Sequence, residues 1–169
     1  MSAPVLHMIC GKMAAGKSTL AARLAQAEGT VILSEDAWIA ALFGDQVESG
    51  ADFMRCSAKL RATLAPHVVG LLQAGVSVVL DFQANTVRSR AWMRGIAEEA
   101  GAAHRLHVLD LPDEVCLARL KARNAEGKHP FAATEAQFKE FTAYYTLPTE
   151  NEGLEIVMHE VGGGAPPSP

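Results

Sequence analysis

Residues 11–18 of this chain, Gly-Lys-Met-Ala-Ala-Gly-Lys-Ser, fill every position of the phosphate-loop pattern G-x-x-x-x-G-K-S. They follow directly on an apolar run, Val5 to Cys10, and lead into Ser18 to Ala25, which continues at helical spacing. A strand that turns into a helix through such a loop points successive backbone N–H groups at one anion. The positive end of the helix dipole adds to the same site. A Cβ at Gly11 or Gly16 would collide or strain the loop. Lys17 is placed to reach β- and γ-phosphates, and the Ser18 hydroxyl to complete a Mg²⁺ shell. The segment Gly11, Lys12, Met13, Ala14, Ala15, Gly16, Lys17, Ser18 and Thr19 is therefore the expected nucleotide-binding element.

The rest of the chain reads as strands alternating with helices. Short apolar runs predict strands at 5–10, 30–33, 76–80, 106–109 and 154–158. Helical patterns lie at about 56–73, 87–100, 113–124 and 134–145, with Pro66 expected to kink or split the first of these. This alternation implies parallel βαβ units with helices on both faces, a doubly wound α/β sheet. With 169 residues, 49% of them hydrophobic, the chain suits one well-cored domain, expected over residues 1–161. The Gly- and Pro-rich stretch 162–169 reads as a disordered tail. No apolar stretch approaches a membrane span and no signal-peptide pattern opens the chain, so a cytoplasmic location is expected.

Composition removes several function classes. A net charge of −4 disfavours a long nucleic-acid partner, whose backbone calls for a basic surface. Cys10, Cys56 and Cys116 lack metal-ligand spacing and read as buried thiols. His104 and His107 stand three apart in a strand, on opposite faces, and make a poor metal pair. Oligomeric state is left open by the sequence.

In an open parallel sheet, ligands gather at the carboxyl ends of strands. Three such ends carry an acid. Asp36 follows strand two, where it is either a proton acceptor for an alcohol or a cap of the following helix. Asp81 closes strand three and is the candidate metal or substrate ligand, with Ser18 as its partner at the metal. Asp110, before Pro112, suits a turn. Arg119 and Arg123 share one face of a helix that runs into the Gly- and Pro-containing segment 124–131, the expected mobile lid. Arginines there would clamp a transferring phosphoryl group. Arg88 and Arg90 read better as surface charge. The segment 38–55, with Trp38, Phe43, Phe53 and Arg55, is the expected acceptor pocket beside Asp36.

Taken together, these pieces resemble the AAA_33 group of phosphate-loop kinases, which includes zeta-toxin kinases, chloramphenicol phosphotransferases and polynucleotide 5′-kinases. The resemblance rests on Gly11 to Ser18, Ser34-Glu35-Asp36, the segment 78–85 followed by Arg88 and Arg90, the Arg119-to-Arg123 spacing, and residues 147–152. It implies a sheet of strand order 2-3-1-4-5 with a small lid, ATP and Mg²⁺ as cofactors, and Asp36 as general base. It further implies Asp81 and Asn85 on the acceptor side, Arg119 and Arg123 as lid arginines, and Thr149 near adenine. Two departures stand out. No arginine follows Asp36, as it does in polynucleotide kinases, and the chain is shorter than the zeta toxins.

The expected activity is transfer of the ATP γ-phosphoryl group to a hydroxyl of a small metabolite or antibiotic. Lys17, Asp36, Arg119 and Arg123 would be catalytic, and Asp36, Trp38, Arg55, Asp81 and Asn85 would bind the acceptor. The alternatives are a nucleotide-dependent switch or slow ATPase acting through a partner, and a nucleic-acid 5′-hydroxyl kinase.

Overall fold

Alternation of apolar side chains along β1 (Val5–Gly11) decides how the sheet is covered. Leu6, Met8 and Cys10 point to one face and Ile9 to the other, and each set joins a separate buried cluster. The computed structural model describes residues 3–129 and 131–159, so Pro130 and the expected tail at 162–169 lie outside the described residues. In chain order, β1 leads to α1 (Lys17–Leu24), β2 (Thr30–Ser34), α2 (Glu35–Phe43), α3 (Gly50–Gln73) and β3 (Ser77–Gln83). There follow α4 (Val87–Ala100), β4 (Ala103–Leu109), α5 (Asp113–Glu126), α6 (Glu135–Thr142) and β5 (Ile156–Met158). All strands pair in parallel, in the order β2-β3-β1-β4-β5. The sheet is thus the doubly wound one expected from sequence.

One face, carrying Leu6, Met8, Val78, Leu80, Phe82, Leu106 and Val108, buries α3 through Leu60, Leu64, Val68 and Leu72, and α4 through Met93, Ile96 and Ala97. The opposite face, with Ile9, Val79 and Leu109, buries α1 through Leu20 and Ala21, and α5 through Cys116 and Leu120. The three cysteines are free and buried, as expected. Among the described residues, no helix is long and apolar enough to cross a membrane.

Several boundaries differ from the sequence reading. The long helix begins at Gly50, six residues early, because Ser49 caps it by accepting from the Asp52 N–H at 3.2 Å. Pro66 does not split this helix, which runs unbroken to Gln73. Pro66 and Ala62, whose carbonyl loses its donor, both lie on the exposed face, where water can replace the missing bond. β3 extends past Asp81 to Gln83, and its pairing with β1 slips between Met8 and Ile9, a bulge beside the phosphate loop. Arg90 is not surface charge: it is fully buried, bonding the Glu152 carboxylate at 2.8 Å and the carbonyls of Ala84 and Thr146 at 3.0 and 2.8 Å.

A polar row crosses the α1/α5 face of the sheet. His7 Nδ1 and His107 Nε2 share a hydrogen bond of 3.0 Å, and His107 Nδ1 and His159 Nε2 one of 2.8 Å. With one N–H per ring, all pointing the same way along the row, three neutral imidazoles satisfy both bonds. Burial, then the neighbouring His7 and His159, hold the His107 pKa down at about 4. His104, on the other side of the strand, accepts from the Glu155 N–H at 3.1 Å.

Candidate active site

The phosphate loop leaves β1 at the centre of the sheet, where the chain builds β3 and β2 on one side and β4 and β5 on the other, the switch point at which the crevice for ligands opens. Gly16 caps α1 with φ 100°, and Ala14 also takes a left-handed φ of 60°. A Cβ on Gly11 would come within 3.3 Å of Ala15 and of the Leu109 backbone, so the loop's entrance admits no side chain without movement. Lys17 Nζ donates to the carbonyls of Gly11 at 2.7 Å and Lys12 at 2.8 Å. Burial lowers its pKa to about 8, against the opposing pull of Asp81 and Asp36. Lys12 is drawn away from the loop, to the Leu111 carbonyl at 3.0 Å and Asp113 at 2.7 Å.

The acidic residues come from the neighbouring strands. Asp36 lies in the first turn of α2, and Ser34, not Asp36, caps that helix by accepting the Ala37 N–H. This leaves the Asp36 carboxylate without a capping duty. Burial raises its pKa, opposed by His129 and Lys17 and reinforced by Glu35 and Asp81. Asp81 Oδ2 accepts from the Ser18 hydroxyl at 2.9 Å, and burial raises its pKa as well. Among the described residues, no three His, Cys, Asp or Glu side chains cluster as a self-sufficient metal site. One hydroxyl and one carboxylate oxygen do suit Mg²⁺, a hard cation that takes few protein ligands and shares the rest with phosphate oxygens.

Arg119 and Arg123 sit one turn apart on α5, both half-buried. Among the described residues, the buried Arg123 Nε has no hydrogen-bond acceptor. Burial lowers the Arg123 pKa and Asp36 raises it, so the guanidinium and the carboxylate sense one another. From the connection between α5 and α6, His129 brings Nε2 to 3.6 Å from Asp36 Oδ2. Lys17, Asp36, Asp81, Arg123 and His129 thus form one electrostatically linked group around the mouth of the phosphate loop.

Other expected residues are placed elsewhere. Asn85 accepts from the Gly11 N–H and donates to the Gly11 carbonyl, both at 2.9 Å, so its amide is committed to the loop entrance instead of facing an acceptor. Arg55 is exposed and pairs with Asp52 at 2.7 Å, one turn earlier on the same helix. Trp38 is 38% exposed on α2. The segment 38–55, expected to form the acceptor pocket, is largely helix with a short turn at Gly44–Gln46, and Phe53 meets Phe131 edge-on at 5.4 Å. Thr149 is exposed and starts the turn Glu150–Glu152, its N–H donating to the Glu152 carboxylate at 2.9 Å.

Sequence reasoning missed Glu35 and Arg61. The Glu35 carboxylate is buried and accepts from Ser57 at 2.6 Å and Arg61 at 2.9 Å. Arg61 in turn lies over the rings of Phe82 and Trp92, at 5.5 and 5.2 Å. This pair pins the start of α2, and so Asp36, to α3 and the sheet. The doublet Glu35-Asp36 was the available signal, since adjacent side chains on a helix point about 100° apart and so meet different surroundings.

A family model described as an AAA domain, AAA_33, matches residues 6–148, from β1 through the segment after α6. The chain belongs to this AAA_33 family. No curated protein matches the sequence. The family fold recurs in solved structures: a candidate kinase from Chloroflexus aurantiacus is 23% identical, with a TM-score of 0.72 over 94% of this chain and 86% of that one. The APS kinase of Mycobacterium tuberculosis, in complex with AMPPNP and APS, is 22% identical, with a TM-score of 0.60 over 94% of this chain and 90% of that one. A sugar kinase from Janibacter is 19% identical, with a TM-score of 0.60 over 94% and 85%. At these identities the likeness establishes that this AAA_33 member has the phosphate-loop kinase fold.

Proposed function

We propose that this protein transfers the γ-phosphoryl group of ATP to a hydroxyl of a small molecule. The observation that carries this reading is Asp36, a half-buried carboxylate free of capping duty, grouped with Lys17, Asp81 and Arg123 at the mouth of the phosphate loop. AMPPNP in the M. tuberculosis enzyme supports an adenine nucleotide as donor. The acidic net charge supports a small acceptor over a long polynucleotide.

The roles follow from position. Gly11 to Thr19 cradle the triphosphate, and Lys17 exchanges the carbonyls of Gly11 and Lys12 for phosphate oxygens. Ser18 and Asp81 would hold Mg²⁺, which when bound neutralises charge across the β- and γ-oxygens. Asp36 accepts the proton of the acceptor hydroxyl, and burial strengthens it as a base by raising its pKa. As that proton leaves, the acceptor oxygen bonds to the γ-phosphorus and the bond to the β,γ-bridging oxygen breaks, its electron pair departing with ADP. The Arg123 guanidinium, whose Nε has no acceptor among the described residues, would turn to the oxygens of the transferring group, with Arg119 one turn away as the second cation. Trp38, exposed two residues beyond Asp36, offers a stacking surface for an acceptor ring.

The test is ADP release from Mg-ATP over a panel of hydroxylated metabolites, aminoglycoside and phenicol antibiotics, nucleosides and 5′-hydroxyl oligonucleotides. Acceptor-dependent release that falls at least a hundredfold in Asp36→Asn is expected. Acceptor-independent release unchanged by the substitution would replace this reading with a slow ATPase or switch.

A further inference from the structure

One side chain in the site belongs to none of the roles above. His129 lies past the end of α5, where Gly127 ends the helix with φ 68°, and it is 22% exposed. Its Nε2 is 3.6 Å from Asp36 Oδ2. Its other nitrogen, Nδ1, is 2.9 Å from the Phe131 carbonyl and 3.2 Å from the Phe131 N–H. The Phe131 ring rests edge-on against Phe53 of α3, and Asn124 donates to the Ala133 carbonyl at 2.7 Å, which fixes the backbone on the far side.

This arrangement limits which protons the ring can carry. When Nδ1 accepts the Phe131 N–H, a neutral ring must hold its proton on Nε2, directed at Asp36. When Nδ1 donates to the Phe131 carbonyl, a ring that also carries a proton on Nε2 is an imidazolium ion-paired with Asp36. A neutral ring protonated on Nδ1 would set a nitrogen lone pair against the carboxylate, and this form is disfavoured. Both favoured forms place a proton on Nε2, the nitrogen that lies 3.6 Å from Asp36 Oδ2. That leaves Oδ1 for an incoming hydroxyl.

We propose that His129 is a positioning residue for the phosphoryl transfer: from 3.6 Å, within ion-pair reach though beyond hydrogen-bond length, its Nε2 side attracts Oδ2 of Asp36 and leaves Oδ1 to the acceptor hydroxyl. The proposal rests on Asp36 being the base. Its electrostatic side is set by the groups that face Asp36: Glu35 on the same helix and Asp81 on β3 favour the protonated acid, whereas Lys17 of α1 and His129 favour the carboxylate. Arg123 of α5 is the further cation within reach. A positive His129 also acts on Asp81, again toward the ionised form.

The test compares wild type, Asp36→Asn, His129→Ala and His129→Gln in steady-state transfer to the acceptor found in the panel above, from pH 5 to 9. Each variant's thermal melt serves as a folding control. His129→Ala is expected to lower kcat by about tenfold, part of what a well-placed acid–base group contributes, with KM for ATP unchanged and the acidic limb of the kcat profile moved to higher pH. His129→Gln keeps a donor of similar reach without the charge. It should recover most of kcat while the acidic limb stays displaced. Carboxyl ¹³C titration of Asp36 without substrate should show the same upward displacement in both His129 variants.

If Asp36→Asn is inactive while His129→Ala matches wild type in kcat, pH profile and Asp36 titration, the His129 role is overturned and the base stands. If Asp36→Asn is fully active, the base reading falls and this proposal falls with it.

Discussion

Acidification should weaken this fold through its row of histidines, His107 above all. His107 is 5% exposed and hydrogen-bonded on both sides by His7 and His159, and its pKa is held down at about 4 by burial and by those neighbours. An unfolded chain returns the group to about 6.5, so between these values the unfolded state binds more protons and stability falls as pH falls. A difference of about 2.5 units at about 1.4 kcal/mol each corresponds to about 3.5 kcal/mol, fully present above pH 6.5 and lost on approach to pH 4. His7 and His159, also lowered chiefly by burial, act in the same direction. Asp36 and Asp81 act in the opposite one, because a folded-state carboxyl with a raised pKa gains stability as it protonates.

The wild-type curve alone therefore mixes the two signs, and His107→Phe separates them. Phenylalanine keeps the ring and its burial, loses both hydrogen bonds at a cost independent of pH, and cannot titrate. Urea unfolding at pH 7.5, 6.5, 5.5 and 4.5 should give a wild-type stability that falls more steeply than the variant's, by up to about 1.4 kcal/mol per pH unit where His107 alone titrates. Parallel curves for the two proteins would refute the assignment of the shift to His107.

Two further outcomes follow from pairings described above. Asn85→Asp keeps an acceptor for the Gly11 N–H but sets a carboxylate oxygen against the Gly11 carbonyl, so the loop entrance should loosen by about 1–3 kcal/mol and Mg-ADP affinity should fall by about tenfold or more in titration calorimetry. Arg61→Met strands the buried Glu35 carboxylate and should cost about 3–5 kcal/mol in chemical denaturation, with Glu35→Gln added to Arg61→Met recovering part of the loss.

How much was legible in the sequence depended on how local each signal was. The phosphate loop needs its glycines and lysine within eight positions, and the buried strands are continuous apolar runs, so the sheet and its nucleotide end could be read directly. Pro66 leaves its helix unsplit because a proline's damage depends on whether water can reach the freed carbonyl, which periodicity does not report. Asp36 could be narrowed to base or cap, and the neighbouring Ser34 took the cap.

Asn85, Arg90 and His129 were beyond such reading for one shared reason. Each is defined by a partner brought close only by folding: Gly11 lies 74 residues from Asn85, and Glu152 lies 62 from Arg90. Arg90 in particular falls on the buried stripe of α4, three and seven residues before Met93 and Ala97, but the Glu152 carboxylate and the Ala84 and Thr146 carbonyls that satisfy its charge there meet it only on folding.

The reciprocal bond between Asn85 and Gly11 has a consequence for anyone who cuts or fuses this chain. Asn85 also accepts the Thr146 N–H at 2.8 Å through its backbone carbonyl, and Arg90 grips the Thr146 carbonyl and Glu152 together. The first turn of the nucleotide cradle is thereby laced to a stretch more than a hundred residues downstream. A tag or junction placed between Thr142 and Ile156 would leave every residue of the G-x-x-x-x-G-K-S motif intact, yet it would disturb the Thr146 and Glu152 contacts that back Asn85 and Arg90 behind the cradle.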